Sequence, residues 1–231
     1  MVANVLGVVV ARGGSKGLAR KNVLQLGGKP LVAHTVAAAL GARRLGRTIV
    51  SSDDPEILAA ARAAGGVAPF VRPRELAGDR SSTVDVGLHA LDWLEKHERY
   101  AGDVLVLLPA TAPLRTAQHI DDAVARLLDD DTIDAVVAVT EAEYPPWWMF
   151  VIDGDRLRWL FAEGARADHR QELPRAFRPN GSIYAIRVSV LRRDRTYYPP
   201  STAPYLMPRD SSVNVDSADD LRLAEWLLAA R

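Results

Sequence analysis

The sequence predicts an α/β fold of three layers, in which helices cover both faces of a mostly parallel β-sheet. The order of apolar and helical segments along the chain predicts it. Between residues 5 and 140, short apolar runs of the length of one buried strand alternate with segments that have helical patterns and caps. This alternation is typical of parallel sheets with right-handed crossovers. Ligands of such sheets bind beyond the carboxyl ends of the strands, so the loops at that edge are the candidate site.

The elements up to residue 140 follow from apolar runs that are bounded by turn residues, and from capping residues that open helices. The predicted strands are 5–11, 47–52, 67–72, 103–108 and 135–139. The predicted helices are 31–40, 55–64, 84–97 and 118–128, the first preceded by Pro30 and the next two by the cap candidates 53–54 and 81–83. This order brings the loops 12–22, 72–83 and 109–115 to one edge of the sheet.

Beyond residue 140 the pattern changes. Residues 144–180 are rich in proline, tryptophan and arginine, and 150–160 has the pattern of a hairpin with its turn at 153–155. Residues 181–186 predict a strand that returns to the sheet, and 213–216 a last short strand. Ser217 and Asp220 form a capping-box pattern for a final helix that ends at Arg231. We expect one domain over 1–231, with 141–180 as a small excursion from it.

Composition excludes several classes of protein. The 231 residues contain no cysteine, which excludes a disulfide framework, a thiol nucleophile and cysteine-ligated metals. The formal net charge is zero, so no bulk attraction to nucleic acid or to an anionic membrane is expected. There is no signal-peptide pattern and no apolar segment long enough to span a bilayer. We expect a cytoplasmic enzyme.

The loop after the first strand carries the chemistry. Gly13, Gly14 and Gly17 allow backbone conformations in which successive N–H groups turn toward one anion, while Arg12 and Lys21 add positive charge. The loop has neither the Gly-Lys-Ser/Thr of a Walker motif nor the spaced glycines of a dinucleotide-binding turn. It predicts a phosphate-binding turn that serves a nucleotide chemistry other than that of an ATPase or a dehydrogenase.

Five separated stretches together resemble one known family. They are Ala-Arg-Gly-Gly-Ser-Lys-Gly-Leu-Ala-Arg-Lys-Asn at 11–22, Arg-Pro-Arg-Glu-Leu-Ala at 72–77, Leu-Leu-Pro-Ala-Thr-Ala-Pro-Leu-Arg at 107–115, Phe-Arg-Pro-Asn-Gly-Ser-Ile-Tyr at 177–184 and, more weakly, Val-Asn-Val-Asp-Ser-Ala-Asp-Asp-Leu at 213–221. The chain resembles the CMP-sugar synthetases, that is, acylneuraminate cytidylyltransferases and their relatives. The resemblance implies a Rossmann-like nucleotidyltransferase fold and a homodimer in which the excursion 141–180 reaches the partner subunit's site.

The implied reaction transfers CMP from CTP to an acidic acceptor, a 3-deoxy-ulosonic acid such as N-acetylneuraminate, with release of pyrophosphate. Arg12, Lys21 and Asp216 would be catalytic, the last by binding Mg²⁺ together with Asn214. The nucleotide would be bound by Ala11, Gly13, Gly14, Ser15, Asn22, Arg72, Ser82 and Thr83. The acceptor would be bound by Thr111, Arg170, Arg178 and Asn180.

Three positions depart from the family's pattern. Pro109 replaces a glutamine, Trp147 or Trp148 stands where some relatives have a lysine, and Asn214 replaces one of two aspartates. The first two fall on the acceptor side, so a small phosphonate such as phosphonoformate is an alternative acceptor. Asn214 still offers an oxygen to Mg²⁺ but with lower affinity, which makes a catalytically weak nucleotide-binding protein a second alternative. A purine or uridine sugar pyrophosphorylase is a third.

Several of these residues also have purely structural interpretations. Ser82 or Thr83 would serve as a helix cap, and Arg72 as an exposed strand end. Arg170 and Arg178 would form interface salt bridges, and Asp216 would only lead into the capping box.

Overall fold

A computed structural model describes residues 3–14, 17–79 and 81–231. The strands of this part of the chain are β1 Val5–Val10, β2 Gln25–Leu26, β3 Lys29–Pro30, β4 Arg47–Ser51, β5 Val104–Pro109, β6 Ala135–Glu141, β7 Phe150–Asp153, β8 Arg156–Trp159, β9 Phe177–Arg187 and β10 Thr202–Leu206. The α-helices are α1 Leu31–Gly41, α2 Pro55–Ala63, α3 Thr83–Glu98, α4 Ala117–Leu128, α5 Val188–Asp194 and α6 Ala218–Ala229.

Six strands form the central sheet in the order β10-β6-β9-β5-β1-β4. The pairs β1–β4, β1–β5 and β6–β10 are parallel, and β9 runs antiparallel between β5 and β6. The predicted mostly parallel sheet is therefore confirmed. Because β9 enters the sheet from the excursion, its first residues lie at the same edge as the carboxyl ends of β1 and β5.

The three layers follow from strict alternation along the buried strands. In β5, Val106 and Leu108 pack in one apolar core while Leu105 and Leu107 pack in another on the opposite face. Helices α1, α2 and α4 contribute to the first core, and α3 and α5 to the second. Strands that are apolar on both faces fold in this way because each face needs a helical cover.

The predicted strand 67–72 is wrong. This segment forms no strand, and two backbone hydrogen bonds at its ends link it to β4 and to the residue after β4: Val50 N–H donates to Val67 O at 2.8 Å, and Arg72 N–H donates to Ser52 O at 2.8 Å. Pro69 stands between these contacts and has no N–H to donate to a ladder. The apolar run therefore follows β4 without joining the sheet.

The predicted strand 213–216 is also wrong, because a single backbone bond, from Val215 N–H to Thr111 O at 2.7 Å, links it to the sheet's loops. Four of the strands and helices of the described residues were not predicted: the short strands β2 and β3, the short helix α5 and the edge strand β10. Pro204 lies within β10, where its missing N–H is tolerated because an edge strand pairs on one side only.

The excursion contains the predicted hairpin. Strands β7 and β8 pair antiparallel with Asp153 opposite Arg156, so the chain reverses at residues 154–155. The two tryptophans before it are held internally: Trp147 Nε1 donates to Pro174 O at 3.0 Å and Trp148 Nε1 to Ala167 O at 3.3 Å. Across the described residues, no helix combines the length and apolarity needed to cross a membrane.

Candidate active site

Two cavities open at the carboxyl edge of the sheet, with volumes of about 300 Å³ and about 610 Å³. The first cavity is lined by Val10, Ala11, Arg12, Lys21, Asn22, Arg72, Leu76, Gly78, Asp79, Ser81, Thr83, Val86 and Thr111. The second cavity is lined by Glu143, Arg178, Arg209, Asp210, Ser212, Val213, Asn214, Asp216, Asp220, Leu223 and Leu227. The loops 12–22, 72–83 and 109–115 thus share one rim, as predicted.

Hydrogen bonds join the two cavities into one site. Lys21 of the first cavity donates from Nζ to Asp216 Oδ1 of the second at 2.6 Å. Thr111 of the first donates from Oγ1 to Asn214 Oδ1 of the second at 2.6 Å, and the Asn214 amide donates in turn to Asp216. An ammonium, a carboxylate and an amide oxygen therefore stand together where the two cavities meet.

Asp216 is held in place from two sides. The predicted capping box opens α6: Asp220 N–H donates to Ser217 Oγ at 3.2 Å, and the Asp220 carboxylate accepts the N–H groups of Ser217 and Asp216. On the other side, a Cβ atom on Gly17 would lie 2.5 Å from the carbonyl oxygen of Asp216. Any residue but glycine would push the two segments apart. This role of Gly17 was not assigned from the sequence, although it is the third glycine of the loop.

Asn214 depends on a second glycine. The pairing of β9 with β6 shifts register between Val137 and Val139, and Gly181 within this bulge has φ +70°. A Cβ on Gly181 would stand 3.2 Å from Asn214 Oδ1. Glycine allows both the left-handed backbone and the close approach to Asn214, so β9 can pack against Asn214 where the two cavities meet.

The basic loop is tied to its neighbours. Arg12 donates from Nη1 to Asp79 Oδ1 at 3.0 Å and to Gly78 O at 3.3 Å, which joins loop 12–22 to loop 72–83. Gly13 N–H donates to Asp53 Oδ1 at 3.0 Å. Gly14 is exposed, and Ser15 lies outside the described residues.

Asn22 has the clearest unmet hydrogen bond of the site. Its side chain is 2% exposed, and Nδ2 donates to Arg12 O at 2.9 Å. Its Oδ1 is buried without a partner among the described residues. Because the amide nitrogen faces a carbonyl, the orientation of the amide is set and the free atom is the oxygen. A buried acceptor of this kind calls for a donor from a ligand or a water.

Arg72 is a buried cation rather than an exposed strand end. It is 5% exposed, and Nε donates to Ser51 Oγ at 3.0 Å while Nη2 lies 3.5 Å from Ala11 O. Burial lowers the pKa of Arg72 to about 10, although the charge of Asp53 opposes the shift. The guanidinium is therefore charged at neutral pH and contributes positive potential to the first cavity.

Of the two candidate hydroxyl residues that open α3, one lines the first cavity. Ser82 accepts a hydrogen bond from Val84 N–H at 3.1 Å and is the helix cap. Thr83 lines the cavity, as does Ser81, which was not assigned from the sequence.

The predicted acceptor residues are spread over different surroundings. Arg178 lines the second cavity and makes two hydrogen bonds to Glu143, from Nε at 3.0 Å and from Nη2 at 2.6 Å. Bonding to Arg178 lowers the pKa of Glu143 to about 2. Arg170 lies beside a separate small cavity, with Nη2 3.8 Å from Glu141. Within its own chain it is not brought to Lys21.

Asn180 is interior. It is 1% exposed; Nδ2 donates to Ser212 Oγ at 2.9 Å and Oδ1 accepts from Ser182 N–H at 3.0 Å. Its polar groups are used within the protein, and it lines neither of the two cavities. It contacts the second cavity only through Ser212, which lines it.

The chain matches a cytidylyltransferase family model and is similar to proteins named for CMP transfer to sugar acids. Residues 6–152 match the family model described as Cytidylyltransferase. The chain is 29% identical over 220 residues to a pseudaminic acid cytidylyltransferase of Campylobacter jejuni, with 95% of this chain and 94% of that protein covered. It is 31% identical over 227 residues to a CMP-N,N'-diacetyllegionaminic acid synthase of Legionella pneumophila, with 97% and 96% covered.

Solved structures show the same fold. A CMP:2-keto-3-deoxy-manno-octonic acid synthetase in complex with CTP aligns with a TM-score of 0.71 at 21% identity, over 99% of both chains. A 4-diphosphocytidyl-2C-methyl-D-erythritol synthase from Anaerococcus prevotii aligns with a TM-score of 0.65 at 12% identity, over 98% of this chain and 96% of that one. Through its family match and its sequence relatives, this chain belongs to the cytidylyltransferase family and is a CTP-dependent nucleotidyltransferase.

Proposed function

We propose that this enzyme transfers CMP from CTP to a hydroxyl group of an acidic sugar, a 3-deoxy-ulosonic acid, and releases pyrophosphate. The observation that carries the proposal is the meeting of two cavities at Lys21 and Asp216, one suited to a nucleoside triphosphate and one to a carboxylic acid. The relatives named above are named for acidic sugars. A phosphonate acceptor, considered from the sequence, finds no support among them.

The first cavity would hold the nucleotide. The unpaired oxygen of Asn22 is an acceptor for the exocyclic amino group of cytosine, a donor that uracil lacks. Thr83 and Arg72 line the same cavity and would surround the rest of the nucleoside. This arrangement supports CTP over UTP, because a uracil carbonyl would leave two acceptors facing each other.

The phosphates would lie toward loop 12–22. Arg12 and Lys21 supply two cations at the rim of the cavity. The N–H group of Gly14 would donate to phosphate, and that of Gly13 would do so once it leaves Asp53, to which it now donates. In-line displacement at the α-phosphorus needs positioning and charge neutralisation more than a strong base. Arg12 and Lys21 would stabilise the charge that builds up on the departing pyrophosphate.

Asp216 and Asn214 would hold Mg²⁺. In the described part of the chain no three carboxylate, histidine or cysteine side chains gather into a metal cage. One carboxylate and one amide oxygen suit Mg²⁺, which keeps several waters and takes further oxygens from phosphate. Bound there, the ion would neutralise phosphate charge and favour ionisation of an attacking hydroxyl. The Lys21 ammonium, now on Asp216, would be free to move to phosphate.

The second cavity would hold the acceptor. Arg178 already binds a carboxylate through two parallel hydrogen bonds, that of Glu143. An arginine fork is the group best matched to a carboxylate in two-bond geometry. The carboxylate of the sugar acid would take the place of Glu143, with the attacking hydroxyl directed to Asp216.

The excursion 141–180 would form a homodimer. More than half of the large exposed apolar side chains of the described residues lie in it, including Tyr144, Ile152 and Leu157 at 78%, 80% and 68% exposed. Such a patch is typical of a protein interface. Arg170 would reach the partner subunit's second cavity. A doubly substituted I152D/L157D chain should sediment as a monomer; a dimer that survives this change would argue against this interface.

Pyrophosphate release tests the proposal. CTP and Mg²⁺ with N-acetylneuraminate or a related nonulosonate should release pyrophosphate, and Arg12→Ala should abolish release while the thermal midpoint stays within a few degrees. CTP should also protect the protein against heat more than UTP, ATP or GTP does. Protection without turnover would favour a catalytically weak nucleotide-binding protein, and preference for another nucleotide would favour a sugar pyrophosphorylase. The single domain over 1–231 and the cytoplasmic location remain predictions.

A further inference from the structure

Arg115 is a buried cation that lines neither cavity. It ends the motif at 107–115 and is 3% exposed. Burial lowers the pKa of Arg115 to about 9, so its guanidinium is charged at neutral pH, and among the described residues no carboxylate offsets this shift. A buried charge without a counter-ion is costly, so the compensation has to come from its hydrogen bonds.

The Arg115 guanidinium joins three segments of the chain. Its Nε donates to Ser182 Oγ of β9 at 3.1 Å, and its Nη1 donates to Thr35 Oγ1 of α1 at 2.8 Å. Its Nη2 donates to Pro109 O at the end of β5. Every nitrogen of the guanidinium thus has an acceptor, and each acceptor lies on a different segment. Arginine suits this position because its planar fork donates in several fixed directions at once.

The bond to the end of β5 closes loop 109–115, which holds Asn214 on one side. Thr111 of this loop donates from Oγ1 to Asn214 Oδ1 at 2.6 Å, and its carbonyl oxygen accepts Val215 N–H at 2.7 Å. Because Arg115 joins the last residue of the loop to the first, the loop has little freedom to carry Thr111 away from Asn214.

The bond to Ser182 holds the segment on the other side of Asn214. Ser182 follows Gly181, the glycine of the bulge, whose added Cβ would stand 3.2 Å from Asn214 Oδ1. Arg115 therefore binds both segments that meet at the Asn214 amide. Its third partner, Thr35, lies in α1 and lines neither cavity.

We propose that Arg115 is a positioning residue that fixes the Asn214 amide oxygen beside Asp216. It acts through Thr111 and Gly181 and touches no substrate. The inference rests on the proposed function, in which Asn214 and Asp216 hold Mg²⁺ together with the phosphates of CTP. Loss of contacts that orient the ligands of a metal lowers metal affinity or activity by about 10- to 100-fold.

The experiment compares two buried hydroxyl groups that bind the same guanidinium. Ser182 and Thr35 are both 0% exposed, and each accepts one hydrogen bond from Arg115. Ser182→Ala removes the bond on the side of Asn214, and Thr35→Val removes the bond to α1. The affinity for CTP is measured by calorimetry in EDTA and again with Mg²⁺, and the ratio of the two affinities is the metal-dependent gain.

Arg115→Met should lower the metal-dependent gain by about 10-fold, and kcat for pyrophosphate release with it, while the affinity for CTP in EDTA stays near the native value. Ser182→Ala should lower the gain by about threefold, which is half of that effect on a logarithmic scale. Thr35→Val should leave the gain unchanged, although it removes an equally buried bond. Thermal melts check that each variant is folded.

Arg187→Met is the matched control for Arg115→Met. Arg187 is the last residue of β9 and also donates to backbone carbonyl oxygens, those of Ile133, Leu127 and Asp130, but it lines neither cavity. Because these bonds lie at the opposite end of β9 from Gly181, Arg187→Met should keep the native gain.

The outcomes separate the two proposals. A gain that Arg115→Met and Ser182→Ala leave intact, or that Thr35→Val lowers as much as Ser182→Ala does, overturns the positioning role and leaves CMP transfer standing. If Arg115→Met does not fold, the comparison of Ser182→Ala with Thr35→Val decides. A native chain whose affinity for CTP does not change with Mg²⁺ also overturns the positioning role. The absence of pyrophosphate release with any sugar acid overturns the proposed function as well.

Discussion

Gly17→Ala offers a sharp test of how the site is assembled. The added Cβ would lie 2.5 Å from the carbonyl oxygen of Asp216, and ordinary contacts of this kind begin near 3.4 Å. The loop and the Asp216 segment must therefore part by ~0.9 Å, because neither neighbour is a flexible side chain. Lys21 and Asp216, whose 2.6 Å contact links the two cavities, separate with them.

A displacement of about 1 Å at reacting groups can lower a rate by about 100-fold. We expect kcat/KM for pyrophosphate release to fall by roughly 10- to 100-fold. Gly17 is exposed, so the thermal midpoint should change by only a few degrees.

Gly46→Ala is the control. Gly46 is also exposed, its added Cβ would meet nothing nearer than 3.7 Å, and it hydrogen-bonds to Val5 at the opposite end of β1. It should retain native activity. If Gly17→Ala is as active as Gly46→Ala, the close approach of loop 12–22 to Asp216 does not set the geometry of catalysis.

Three further predictions concern the charged and buried groups. Lys21→Met should lower kcat by at least about 100-fold in the pyrophosphate assay, because it removes a cation from the developing negative charge, whereas Lys29→Met on the exposed β3 should not. Glu143 has its pKa lowered from 4.5 to about 2 by Arg178, so this pair stabilises the fold above pH 4.5 and its contribution is lost as the pH falls toward 2. Both side chains are nearly half exposed, so the pair contributes less than about 1 kcal/mol to the free energy of unfolding. In the Glu143→Gln variant, the thermal midpoint should therefore depend less on pH between pH 4.5 and 2. A pH dependence equal to that of the native protein would contradict this. Asn180→Leu leaves the buried Ser182 N–H unpaired and should lower the free energy of unfolding in urea by about 1–3 kcal/mol. Unchanged stability together with a raised KM for the acceptor would instead indicate that Asn180 binds the acceptor.

Local signals explain why so much of the fold was predictable. β1 and β5 are apolar on both faces, Asp54 and Ser82 cap their helices, and the capping box before α6 has both of its reciprocal bonds. Each of these depends on residues a few positions apart. The glycine-rich loop 12–22 was predicted to bind phosphate for the same reason, since its glycines and cations lie within a few residues of one another.

Signals that are ambiguous locally gave the errors. The run 67–72 has the composition of a strand, but Pro69 prevents a ladder. The strand β10 was hidden by Pro204, which the edge of the sheet tolerates. The role of Asn180 stays a prediction: the residue belongs to a motif that resembles a binding site, and the structure places its amide in the interior, beside Gly181 and in contact with Ser212.

The sequence by itself determined the fold class and the family resemblance and predicted the reactive side chains, because these depend on composition and short spacings. Only the tertiary structure decided which of them meet. Lys21 and Asp216 are 195 positions apart, and Thr111 and Asn214 are 103 apart. Their contacts depend on the order of strands in the sheet and on the approach of Gly17 to the segment before α6.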